Sequence, residues 1–195
     1  MALDGPYTLN DLLRLTGHKA KRQPAWREPQ SKIKNQKSKI RLLGIDPGTR
    51  RVGWGVVERD QDGALKLVNC GCIAPSPKLG LKERLRDIFA ELEQVLLRMR
   101  PHAAALEETF AGVNMKSAIA MGEGRGIALL CLARAGMEVL ELSPRSIKQA
   151  VAGSGAAGKA RVAAMVTAQL GLRKAPEPED ITDALAAAIA LARRV

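Results

Sequence analysis

Residues 40–60 read Ile40-Arg-Leu-Leu-Gly-Ile-Asp46-Pro-Gly-Thr-Arg50-Arg-Val-Gly-Trp-Gly-Val-Val-Glu58-Arg-Asp60, and their pattern decides the fold class. Ile40–Ile45 is a short apolar run that stops on an acid and then on Pro47-Gly48, a turn-forming pair. Val52–Glu58 resumes the run, and beyond Asp60–Gly63 a third run spans Leu65–Ala74. Three β-branched-rich runs joined by turn residues predict three strands in hairpin succession. Downstream the spacing becomes helical: Leu81, Leu85, Ile88, Phe89, Leu92, Val95, Leu96 and Met99 share one face, and Pro101 closes that helix. Ala103–Glu107 reads as a buried strand, Lys116–Ala135 as a long helix and Met137–Leu142 as another strand. Ser143-Pro144 caps a third helix. Lys159–Leu170 forms a fourth, and Pro178 opens a last one that runs to the C-terminus. The predicted order, βββαβαβααα, is a mixed α/β domain with a hairpin-linked front sheet and later strands separated by helices.

The 195 residues suit one domain, or one domain with a tail. Apolar residues make up 46%, too many for a disordered chain, yet no run reaches the roughly 18 residues of a membrane span. Aromatics are only 3%, so the core must be aliphatic and Ala-rich. With 31 Lys+Arg against 20 Asp+Glu the net charge is +11, which points to nucleic acid ahead of an anionic membrane. Three cysteines, two of them in Cys70-Gly-Cys72, cannot make a disulfide framework and fit a reducing, cytoplasmic setting. Residues 1–39 hold nine Lys/Arg against Asp4, Asp11 and Glu28 and lack sustained periodicity beyond Leu9–Leu15. They read as a basic, disordered N-terminal extension, and residues 40–195 as the folded domain. The extension has no long apolar stretch of a secretory signal, and its three acids speak against a transit peptide. A plain solvated extension and a DNA-binding arm are the two readings of it.

The chemistry starts from four acids. Asp46 ends the Leu42–Ile45 run, and Glu107 ends Ala103–Leu106. Asp180 and Asp183, three residues apart in the first turns of the last helix, share a face. An acid at the exit of a parallel strand opens onto the crevice where α/β sheets bind ligands. Four such acids together repel one another unless a cation lies between them. Hard oxygen ligands select Mg²⁺ or Mn²⁺, and such a site suits phosphodiester hydrolysis, with metal activating water and stabilising the leaving oxygen. Each acid alone has a plainer reading. Asp180, with Glu177 and Glu179, favours a helix N-terminus, and Asp46-Pro47-Gly48 is an ordinary turn signature. Glu107 is harder to dismiss, because a short apolar strand seldom ends in Glu-Glu without cause. Set together in a basic body, they point to a metal site.

Leu43-Gly-Ile-Asp46-Pro-Gly-Thr49, Ala105-Leu-Glu107-Glu-Thr-Phe110 and Asp180-Ile-Thr-Asp183-Ala-Leu185 resemble the three acidic motifs of the RuvC family. The similarity runs in order through residues 40–195, including Gly71–Ile73, Gly122-Glu-Gly-Arg-Gly126 and Ser143-Pro-Arg-Ser-Ile-Lys148. Residues 1–39 depart from the pattern, since family members usually begin near the first strand. The resemblance implies an RNase H-like fold, a mixed five-stranded sheet flanked by helices. It further implies a bacterial, cytoplasmic crossover junction endodeoxyribonuclease of recombination and DNA repair that resolves Holliday junctions by paired nicks. A homodimer and a RuvA–RuvB branch-migration complex are the implied partners. By position, Asp46, Glu107, Asp180 and Asp183 match four carboxylates that hold two Mg²⁺ ions, with Mn²⁺ as a substitute; the family varies at the first of the two aspartates. Lys148 and Lys159 match lysines used in catalysis and DNA contact, and an ammonium near the metals can hold a scissile phosphate. Phe110 matches an aromatic that reaches the junction centre, where it would stack on an unpaired base; a core residue at the strand exit is the alternative.

Gly153-Ser-Gly-Ala-Ala-Gly158-Lys159 spells the start of a Walker A loop, but Ala160 stands where Ser or Thr should bind Mg²⁺, and a helix precedes it. It reads instead as a flexible linker that lets Lys159 and Arg161 lie against DNA phosphate. Asp46-Pro-Gly-Thr49 also resembles the phosphate loop of actin-like and sugar kinases, which need roughly twice this length. The remaining rivals are an RNase H-like nuclease acting on other branched or RNA-containing substrates, and a non-catalytic basic DNA-binding protein. Two nicks at symmetric positions require two active sites, hence a two-fold dimer. Ile119, Met121, Ile127 and Leu130 on helix 116–135 exceed what one face needs and are candidates for its interface, with a fully buried helix as the alternative.

Overall fold

Both faces of the first strand are apolar, and this dictates a three-layer arrangement. In a computed structural model that describes residues 39–108 and 115–195, Leu42 packs against one helical layer while Leu43 and Ile45 pack against the other. The strands are β1 (Ile40–Asp46), β2 (Val52–Arg59), β3 (Leu65–Ile73), β4 (Ala103–Glu107) and β5 (Glu138–Leu142). The helices are α1 (Leu81–Met99), α2 (Met115–Arg134), α3 (Pro144–Ala152), α4 (Lys159–Gln169) and α5 (Glu179–Ala192). The expected order holds, except that α5 ends at Ala192 rather than at the terminus. The sheet order is β3-β2-β1-β4-β5. β1, β2 and β3 pair antiparallel, whereas β1, β4 and β5 run parallel. Val68 is an extra residue in β3, because pairing steps from Val56–Asn69 to Val57–Leu67. The extension expected at 1–39 lies, apart from Lys39, outside the described residues, and so does Phe110.

One layer is α1 and α2, which bury Ile88, Leu92, Val95, Leu96, Ala128, Cys131 and Leu132 against Leu43, Ile45, Ala104 and Leu106. On α2, Ile127 also turns toward this core, while Ile119, Met121 and Leu130 stay exposed, so the helix is not fully buried. The other layer is α3, α4 and α5, packed on Leu42, Val57, Ala103 and Ala105. Its centre is α5, whose Ile181, Leu185, Ile189 and Leu191 are all buried. Each contributes about 1.5–3 kcal/mol by leaving water.

α5 approaches the sheet more closely than side chains on both surfaces would allow. A Cβ added to Gly44 would fall 1.9 Å from the carbonyl oxygen of Ala184, and one on Gly55, its register partner, 2.4 Å from Leu185 Cδ2. A Cβ on Gly53 would fall 1.9 Å from the carbonyl oxygen of Asp180. Three glycines thus cut a saddle in β1 and β2, and the Ala-rich face of α5 lies in it. Because Gly53 pairs with Asp46, the first turn of α5 is set down beside the exit of β1.

The turn after β1 is held from two sides. Arg84 donates from Nε to the carbonyl of Thr49 at 3.0 Å and from Nη1 to that of Leu79 at 2.7 Å. From the other side, α2 meets Gly48 so closely that a Cβ on Gly124 would lie 2.5 Å from the Gly48 carbonyl carbon. The segment 153–158 is not the flexible linker the sequence suggested. Gln149 donates to the Gly153 carbonyl at 2.9 Å and accepts from the Gly155 N–H at 3.0 Å, and the Ala157 N–H closes a turn on Ser154 at 3.1 Å. These bonds fix the start of α4, and with it Lys159.

Candidate active site

β1 and β4 are parallel neighbours, with Ile45 opposite Leu106, so Asp46 and Glu107 leave the sheet side by side. Asp180 and Asp183 reach the same end of the sheet from α5, because the glycine saddle holds that helix down. Their electrostatics record the crowding. The Asp46 carboxyl is pushed up to about 7 by burial first, then by the charges of Asp183, Glu107 and Asp180, with Lys159 opposing. Burial and the Asp183 charge raise Glu107, while Lys148 and Lys159 pull it down. Asp183 is raised by burial as well, against the attraction of Lys159.

Two basic residues bracket the helix acids. Lys159 Nζ lies 3.1 Å from Glu179 and 3.7 Å from Asp183, and these partners raise its own affinity for a proton. Arg51 lies 3.8 Å from Asp180. Glu107, Lys148, Lys159 and Asp183 line a cleft of about 130 Å³, with Pro144, Ile147, Val162 and Ala186 as its apolar wall. Arg161 is exposed on the first turn of α4 and is not among the lining residues. The structure therefore brings together Asp46, Glu107, Asp180, Asp183, Lys148 and Lys159, and leaves Arg161 at the surface beside them.

The donor set fits a hard divalent cation: carboxylate oxygens on rigid elements, one of them pushed up to about 7 by burial and then by its acidic neighbours. Among the described residues, no three Asp, Glu, His or Cys side chains already converge as a closed ion cage. Arg51 and Lys159 lie against the carboxylates of Asp180 and Asp183 instead. The sequence reading gave no site role to Arg51, to Glu179, which it placed only at a helix N-terminus, or to Arg125, which it quoted only within Gly122–Gly126. The last donates from Nη1 to the Glu107 carbonyl at 2.6 Å. A Gly-flanked arginine in mid-helix was the available signal for it, but nothing local shows what it reaches.

The chain matches the family model "Crossover junction endodeoxyribonuclease RuvC" over residues 42–191. It is 47% identical over 150 residues to the crossover junction endodeoxyribonuclease RuvC of Chloroflexus aggregans, covering 77% of this chain and 91% of that protein. The namesake from a Roseiflexus species is 47% identical over 149 residues, covering 76% and 88%. Among solved structures, Thermus thermophilus RuvC in complex with a Holliday junction substrate superposes with a TM-score of 0.73 at 38% identity, covering 77% of this chain and 92% of that one. The yeast mitochondrial Holliday junction resolvase Ydc2, at 17% identity and a TM-score of 0.58, shares the fold. No helix among the described residues is long and apolar enough to cross a membrane. With its RNase H-like sheet and its carboxylates at the exits of β1 and β4, this chain belongs to the RuvC family of crossover junction endodeoxyribonucleases.

Proposed function

We propose that this chain is a Mg²⁺-dependent endonuclease that resolves four-way DNA junctions by paired symmetric nicks, working as a homodimer in the bacterial cytoplasm. The observation that carries it is the crowding of Asp46, Glu107, Asp180 and Asp183 at one sheet end beside a cleft edged by Lys148 and Lys159. Asp46, Glu107 and the two α5 aspartates would hold two Mg²⁺ ions, or Mn²⁺ in their place. Bound there, the ions supply an activated water and neutralise charge on the leaving oxygen. The chain's own part is to bind and orient. Lys148 and Lys159 hold the scissile phosphate, and Lys159 leaves Glu179 and Asp183 to do so, a small cost for pairs this exposed. Arg161 and Phe110 extend the DNA contact, the first to backbone phosphate and the second to an unstacked base. Residues 40–195 form the nuclease unit, in keeping with the family match at 42–191, and residues 1–39 act as a basic extension. Exposed Ile119, Met121 and Leu130 on α2 supply apolar surface for the two-fold contact. A RuvA–RuvB branch-migration complex is the expected source of substrate.

The test is a labelled synthetic junction beside a linear duplex of matched sequence, each with Mg²⁺ or with EDTA. Cleavage of the junction alone, and only with Mg²⁺, is the expected result. Equal cutting of both would favour an RNase H-like nuclease of other specificity, and binding without cutting a non-catalytic DNA-binding protein. Light scattering should give about twice the 20.9 kDa chain mass. Dimers mixed from wild-type and Asp46→Asn chains should nick one strand and spare its symmetric partner.

A further inference from the structure

We propose that Arg125 is a positioning residue for Glu107, by which α2 sets the place of the β4 exit relative to the β1 exit. The inference rests on the nuclease reading above, in which Glu107 is a metal-binding carboxylate. Arg125 reaches from α2 with its side chain only 13% exposed. Nη1 donates to the Glu107 carbonyl at 2.6 Å, and Nη2 pairs with the Glu141 carboxylate on β5. One planar fork therefore clamps the last residue of β4 to the neighbouring strand, where the Glu108 N–H already meets the Leu142 carbonyl at 2.8 Å. Gly124, the preceding residue, seats the same helix on Gly48, just past Asp46. Two adjacent residues of α2 thus touch the exits of both strands that carry the central carboxylates.

Arg125 works through placement and not through its charge. Its Nη1 meets the Glu107 backbone carbonyl and not the carboxylate, while Glu141 neutralises the guanidinium where it stands. Divalent ions tolerate little displacement of a ligand, and groups that orient ligands typically matter about 10–100-fold for metal affinity or activity. Arg125→Lys keeps the charge but cannot donate to two separated acceptors in fixed directions.

The experiment uses the full chain and follows three readouts: thermal unfolding without metal, Mg²⁺-dependent stabilisation, and junction cleavage with kcat and KM separated. For Arg125→Lys, the Mg²⁺ concentration giving half-maximal stabilisation should rise about tenfold and kcat fall about tenfold, with KM for the junction within about twofold of wild type. The metal-free Tm should move by no more than about 5 °C, equivalent to a small local loss. Glu141→Gln keeps an acceptor at a half-exposed position and should shift the Mg²⁺ midpoint in the same direction by about threefold. It also serves if Arg125→Lys folds poorly. An unchanged Mg²⁺ midpoint in both variants, or a lowered metal-free Tm as the only effect, overturns the assignment and leaves Arg125 a structural residue. A wild-type chain that neither responds to Mg²⁺ nor cuts junctions overturns the nuclease reading itself, and is told apart by needing no variant.

Discussion

At the N-terminal end of β1, Glu58 on the paired strand takes Lys39 at 3.3 Å and Arg41 at 3.6 Å. Arg41 also donates to the Met99 carbonyl at 3.0 Å, and its N–H meets His102 Nδ1 at 3.0 Å. At the opposite end, Asp46 faces Glu107, Asp180 and Asp183, and Lys159 offsets only part of that charge. The same sheet therefore neutralises its acid at one end and accumulates acids at the other. The paired end adds a little stability. The crowded end costs stability in the metal-free protein, and a divalent cation held there, as proposed above, would recover that cost on binding.

The contrast breaks most sharply at Asp46. Asp46→Asn keeps the shape and removes the central charge, so cleavage should fall by well over about 100-fold, the range for groups that merely orient a ligand. Junction binding, measured by gel shift, should persist or tighten slightly, because one negative charge near phosphate is gone. Loss of binding together with cleavage would make Asp46 structural.

Next in size is Gly53→Ala. The new Cβ would fall 1.9 Å from the Asp180 carbonyl, so the first turn of α5 must lift. Urea unfolding should show a loss of about 3 kcal/mol, the upper range for overpacking, and cleavage should drop because Asp180 and Asp183 move with the turn. An unaltered chain would mean that α5 does not rest on the sheet backbone.

The crowded end should also set the pH dependence of metal-free stability. Folded Asp46 keeps its proton up to about 7, while in the unfolded chain it ionises near its ordinary value of 3.8. Between those values the folded state binds more protons, so this contribution is present below about pH 4 and is lost as pH rises through 7. Its partial exposure reduces the effect to about 2 kcal/mol. Denaturant titrations from pH 4.5 to 8 should show a decline that is shallower in Asp46→Asn, and Mg²⁺ should stabilise more at pH 8 than at pH 6. A slope identical in the variant would remove Asp46 as its source.

The smallest effect belongs to the paired end. Glu58→Gln should cost about 0.5–1 kcal/mol, as half-exposed ion pairs do, and leave the cleavage rate unchanged. A cleavage defect there would show that the two ends are coupled through β1.

The glycines show where local reading stops. Asp46 and Glu107 were legible because an acid ending an apolar run contradicts burial and demands a reason. Asp180 and Asp183 were legible because helical spacing puts them on one face. Gly44, Gly53 and Gly55 read only as permissive strand residues, since what forbids a side chain there is a helix far along the chain. Lys159 was expected against DNA, and its resting partners, Glu179 and Asp183, follow from where α4 begins relative to α5.

By itself, the sequence determined the alternation that makes the strands, the spacing that makes the helices, and the acid types that select a hard cation. These are properties of neighbouring residues, and backbone geometry converts them directly into structure. Only the tertiary structure decided the strand order β3-β2-β1-β4-β5, the seating of α5 on three glycines and the reach of Arg125 to the Glu107 carbonyl. Those contacts join residues distant in sequence, and their existence depends on how a helix crosses a twisted sheet, which no local pattern encodes.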